Sequence, residues 1–175
     1  GLKQKMLLPW NKDVKLSTVH VRDVVRALWH LCFNGKSGEV YNLADSGNTT
    51  QQTIAEITNK LFGTEFGYHG LIKTKLAYST GHLADHINDT VLKPWSDMCK
   101  KAGIQNTTLS PYLDSELLQQ KGLNVSGEKI KETGFEYHYE ELVEESCMEI
   151  IEEWEDLNLF PKGLRFEQPL IKAAV

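Results

Sequence analysis

Residues 15–31, KLSTVHVRDVVRALWHL, change their hydrophobic period partway along. Val14, Leu16, Thr18 and the run Val19-His20-Val21 have the β-branched content of a strand. Val24, Val25, Ala27, Leu28, Leu31 and Cys32 instead recur three and four apart, on one face of a helix. A chain that switches from alternation to a period of about 3.6 within a few residues sets a strand beside a helix, which favours layered α/β solutions. The switch falls at Arg22-Asp23, where Asp23 is placed to cap the helix by accepting a first-turn N–H, and Asn34-Gly35 supplies its stop.

The alternation continues. GEVYNLAD, residues 38–45, reads as a short apolar strand. SGNTTQQTIAEITNKLFG then reads as a helix, with a capping box from Thr49 to Gln52, Ile54, Ile57, Leu61 and Phe62 on one face, and Gly63 as its stop. The order strand, helix, strand, helix predicts α/β layering over a sheet that is at least partly parallel. Farther on, EFGYHG suggests a short strand, and residues 71–102 read as mainly helical with an interruption near Lys93-Pro94, since proline lacks a donor. PYLDSELLQQKG, residues 111–122, predicts a short helix ended by glycine. VSGEKIKETGFEY predicts a strand end, a Ser126-capped helical turn and a stop at Gly134. Residues 140–158 give a regular amphipathic helix, in which Leu142, Val143, Cys147, Ile150, Ile151, Trp154 and Leu157 form the stripe and glutamates fill the solvated face. Pro161-Lys162-Gly163 closes it, and residues 164–175 read as a tail.

A chain of 175 residues, 41% hydrophobic, can bury one core. Its net charge of -5 and its scattered lysines argue against binding nucleic acid through phosphate contacts. Cys32, Cys99 and Cys147 are far apart and odd in number, which predicts reduced thiols and a cytoplasmic protein. No apolar run has the length of a membrane span, so a membrane partner is not expected. The opening Gly1-Leu2-Lys3 suits an internal fragment, a processed product or a tag scar.

STVHVRDVVRAL followed by GEVYNLADSGNTTQQTIAEI resembles the second half of the extended short-chain dehydrogenase/reductases, the NAD-dependent epimerase/dehydratase family. SGEKIKETGFEYHYEELVEESCMEII resembles that family's C-terminal pattern, a Lys-containing turn ending in Gly-aromatic and leading into the last helix. The resemblance implies the C-terminal part of a Rossmann-type α/β fold with its smaller substrate-binding lobe over residues 1–163. It implies as partner the N-terminal half of the same fold, and a small-molecule substrate with a polar carbonyl or hydroxyl group. NAD or NADP would be held by the parent protein, which would exchange a hydride with it and move a proton through a tyrosine; a homo-oligomer is left open. His20 and Asp23 would then be structural, at a strand end and a helix start.

The residues that would perform that chemistry are not in this chain. Gly63, Gly67 and Gly70 follow a helix instead of a strand, so they do not make the turn that brings backbone N–H groups to a pyrophosphate. None of Tyr41, Tyr68, Tyr78, Tyr112, Tyr137 and Tyr139 has a lysine four residues later, the spacing of the family's acid-base pair. No catalytic or cofactor-binding residue is therefore assigned. In the family's sugar-nucleotide epimerases an arginine four residues before the histidine contacts the substrate diphosphate, and here Leu16 holds that position. Lys15 is the one candidate substrate-binding residue, although strand neighbours point to opposite faces. His82 and His86, with Asp85 or Asp89, have zinc-like spacing but no third ligand, and a polar helix face accounts for them. A non-catalytic interaction or structural module that retains the fold is the alternative.

Overall fold

The computed structural model describes residues 5–70, 83–115 and 122–165. Among these the fold is mixed α/β and mostly helical, with a two-stranded parallel sheet. Strand β1 (Met6–Leu8) pairs with β2 (Phe66–Tyr68) in the register Met6 to Phe66, Leu7 to Gly67 and Leu8 to Tyr68. Between them lie helices α1 (Val21–Asn34) and α2 (Gln51–Phe62). After β2 come α3 (Leu83–Lys101), a 3-10 helix at Glu128–Thr133, and α4 (Glu144–Asp156).

The expected short strand in EFGYHG is present, whereas those at 14–21 and 38–45 are not. The reason lies in where the backbone groups go. Leu16 N–H donates to the Thr49 carbonyl at 2.9 Å, Ser17 N–H to that of Leu123 at 2.7 Å, and Asp45 N–H to that of Thr18 at 2.8 Å. The 14–18 segment thus satisfies its polar groups on three separate stretches of chain, and an isolated antiparallel bridge between Lys15 and Thr50 is all the ladder it forms.

Helix α1 starts at Val21, not at Asp23. Its N-cap is His20, whose Nδ1 accepts the Arg22 N–H at 3.2 Å. Helix α2 is boxed by Thr50 and Thr53, one residue beyond the expected Thr49 and Gln52, and ends on Gly63 in the left-handed region at φ 61. Helix α3 runs through Pro94 without the expected break. Side-chain bonds hold it on both sides of the proline: Asn88 exchanges hydrogen bonds with the Leu113 backbone (2.9 and 2.7 Å), and Trp95 Nε1 donates to the Leu109 carbonyl at 3.0 Å. The helix expected at 111–122 is absent at 111–114, and residues 116–121 and 71–82 lie outside the described residues. The turn before Gly134 is the 3-10 helix, and Ser126 Oγ accepts the Glu128 N–H at 3.3 Å as expected. Helix α4 is shorter than the predicted 140–158. Ile151 is buried in it and Leu157 is exposed, while Glu155, expected on the solvated face, is buried against Arg165 at 2.8 Å.

The core joins α1 to the C-terminal region. Ala27, Ile130 and Phe135 are buried together, with Leu31, Tyr41, Leu43 and Tyr137 packed around them. A second aromatic contact places Phe160 against Phe62 of α2 and Trp95 of α3. No helix among the described residues is long and apolar enough to cross a membrane.

Candidate functional site

Lys15 is exposed, and its ammonium group has no hydrogen bond or ion pair among the described residues. Its neighbours Leu16 and Ser17 turn the other way, into a groove of about 390 Å³ that also takes in Asp45, Thr49, Asn124 and Glu128. Thr18 Oγ1 donates to Asp45 Oδ2 at 2.7 Å and shares a hydrogen with Thr49 Oγ1 at 2.9 Å. Ser17 Oγ accepts the Val125 N–H at 2.8 Å. Gly127 forms one wall because a Cβ there would lie 2.0 Å from the Ala44 carbonyl oxygen. The lining holds carboxylates and no cation, and Leu16 offers nothing to a diphosphate. Such a groove suits neutral hydroxyl or amide groups better than anions. Lys15 does not line it.

A polar joint forms where α1 meets residues 138–139. Asp23 is fully buried, and its carboxylate accepts N–H groups of His138 (3.0 Å) and Tyr139 (2.8 Å) and pairs with Arg26. Burial pushes its carboxyl up, but the Tyr139 and His138 donors and Arg26 outweigh that and hold it below the usual carboxylate range. The His20 ring stacks on Tyr139 with centroids 3.6 Å apart and planes at 12°. Arg22 reaches Tyr139 Oη at 3.2 Å, Glu149 of α4 at 3.3 Å, and Glu153. The expected structural role of His20 and Asp23 fits these contacts, but the cap is the histidine. The aspartate reaches 115 and 116 residues along the chain, beyond any local pattern.

The opposite face of α1 carries Val21, Val25, Leu28, Trp29 and Phe33, all between 57% and 71% exposed, with Val40 nearby in sequence at 76%. The α1 sequence therefore presents apolar groups on both sides, Ala27 and Leu31 toward the core and this stripe away from it. Trp29 and Phe33 meet edge to face at 5.3 Å and border a cleft of about 510 Å³ with Arg26, His30, Phe135 and Glu136. The face read from periodicity, Val24, Val25, Ala27, Leu28, Leu31 and Cys32, is split by the fold: Ala27 and Leu31 turn to the core, whereas Val25, Leu28 and Cys32 are exposed.

His86, Asp85 and Asp89 are exposed on α3, and His82 lies outside the described residues. Among the described residues no cluster of histidine, cysteine or acidic side chains could hold a metal ion. Burial pushes the Cys99 and Cys147 thiols up, away from the reactive thiolate form. Compared with protein-family models, curated proteins and solved structures, the chain matches none.

Proposed function

We propose that this chain is the C-terminal, substrate-lobe portion of an NAD(P)-dependent epimerase/dehydratase or reductase acting in the cytoplasm on a polar carbonyl or hydroxyl compound. The observation that carries the proposal is the uncovered apolar stripe of α1. A helix apolar on both sides belongs to the interior of a larger body, because a patch of this extent on a monomer's surface marks a missing neighbour. The N-terminal half of a Rossmann-type fold is that neighbour. It would supply the nicotinamide site and the tyrosine, which the motifs of these 175 residues do not contain. The groove beside Thr18 and Asp45 supports a neutral, hydroxyl-bearing substrate in place of a nucleoside diphosphate.

The test is to join residues 1–175 to the coding sequence that precedes them. The joined chain should carry a glycine-rich strand-turn-helix and a Tyr-x-x-x-Lys, and should bind NADH or NADPH. Residues 1–175 alone should turn over no substrate with either. Turnover by the isolated chain overturns the assignment, and a preceding sequence without those motifs favours the non-catalytic module.

A further inference from the structure

We propose that Asn34 is a deamidation site whose reaction is held back by the last turn of α1. Asn34-Gly35 is the one Asn-Gly pair in the sequence. Packing fixes a glycine at 35, since a Cβ there would lie 2.6 Å from the Leu31 carbonyl oxygen. That same glycine leaves its backbone nitrogen with no side chain to hinder an approach to the Asn34 side chain. Both residues are exposed, so water reaches them. In the reaction the Gly35 nitrogen attacks Asn34 Cγ. The N–Cγ bond forms, the Cγ–Nδ2 bond breaks, and the Gly35 amide proton leaves with Nδ2 as ammonia. Water then opens the cyclic imide at either carbonyl and gives aspartate or isoaspartate, with no oxidant or reductant involved. In the intact helix both reacting groups are engaged elsewhere. Gly35 N–H donates to the Leu31 carbonyl at 3.0 Å, and Asn34 Nδ2 donates to the His30 carbonyl at 3.1 Å and lies 3.4 Å from His30 Nδ1. The attack therefore waits for the terminal turn to open, which helix ends do at little cost.

Neither product lets the turn close as before. A carboxylate cannot donate to the His30 carbonyl, and it sets a negative charge at the negative end of the helix dipole, where the last turn of α1 carries no basic residue. Isoaspartate also adds a carbon to the main chain ahead of Gly35, which draws the Gly35 N–H away from Leu31. The turn that loosens carries Phe33, packed edge to face on Trp29, so one end of the uncovered stripe loses its fixed geometry. The experiment incubates residues 1–175 in neutral buffer, folded and in denaturant, and follows conversion of amide to acid by mass spectrometry of the peptides. In the folded chain Asn34 should convert severalfold ahead of every other asparagine. It should also convert about tenfold more slowly than in the denatured chain, the factor expected when two exposed hydrogen bonds must open first. An Asn34 that trails another asparagine in the folded chain, or that reacts equally fast folded and denatured, overturns the proposal. Asn34→Asp stands in for the aspartate product, and the exchange protection of its Gly35 amide should fall about fivefold from that of wild type. Unchanged protection overturns the proposed loosening of the turn.

Discussion

Asp23 shows what a single buried carboxylate can hold. It joins α1 to Tyr139 through backbone donors and to its own helix through Arg26. Asp23→Asn would turn an amide NH₂ toward the His138 and Tyr139 N–H groups and leave Arg26 without its counter-charge, at a cost of about 3 kcal/mol. Because the folded carboxyl lies below the ordinary value near about 4, this stability is complete above that value and disappears as the pH falls through the lower folded one. Denaturant midpoints should therefore separate wild type from Asp23→Asn widely at about pH 7 and narrowly at about pH 2. A gap that stays equally wide in acid contradicts the assignment. The sequence marks Asp23 as a first-turn acceptor, which is right about its chemistry. It misplaces the partners, since a free N–H three residues on and one 116 residues on look alike to a carboxylate.

At the scale of elements, periodicity locates the four α-helices of the described residues and misjudges their ends. Helix α4 is the plainest case: the stripe predicted over 140–158 is real, but its buried line runs through Ser146, Ile151 and Glu155. Ile151→Ala should cost about 2–4 kcal/mol through lost burial and the cavity left behind. Exposed Glu145→Ala should cost less than about 0.5 kcal/mol. Equilibrium unfolding of both variants checks the contrast, and equal small effects would make α4 peripheral. Helix α1 gives the opposite expectation. Leu28, Trp29 and Phe33 touch the core little, so Trp29→Lys with Phe33→Lys should leave the unfolding midpoint nearly unchanged while lowering apolar-dye fluorescence severalfold. A large loss of stability would place those rings inside this chain's own packing. The strands expected at 14–21 and 38–45 fail for a reason particular to them: β-branched residues favour extended chain, but a ladder also needs a long partner, which no local pattern supplies.

At the scale of the molecule, contacts distant in sequence tie the described segments together. Ser17 meets Val125, Lys129 pairs with Glu39 at 2.5 Å, and His30 shares a hydrogen with Thr133 at 2.9 Å. The core therefore gathers the first third of the chain onto residues 125–139, with α2 and α3 packed through Phe160 at its side. The mixed α/β class agrees with the sequence reading but not through the alternation behind it: the strands expected at 14–21 and 38–45 do not form, and the parallel pair joins β2 to β1, which no pattern marks. The groove was not legible, because its walls come from Leu16 and Ser17, from residues between Asp45 and Thr49, and from 124–128, and only folding brings them together.

The reach from Asp23 to Tyr139 also governs when the protein can be assembled. On the ribosome, α1 emerges on the order of ten seconds before the residues that receive it, at synthesis rates of roughly 5–20 residues per second. Throughout that interval the Ala27 face of the nascent helix lacks its cover, since Ile130 and Phe135 have not yet been made. The newborn chain passes through its most adhesive state early and leaves it late. Its yield in the cell is then set by how well Val21–Asn34 is shielded during synthesis as much as by the stability of the finished fold.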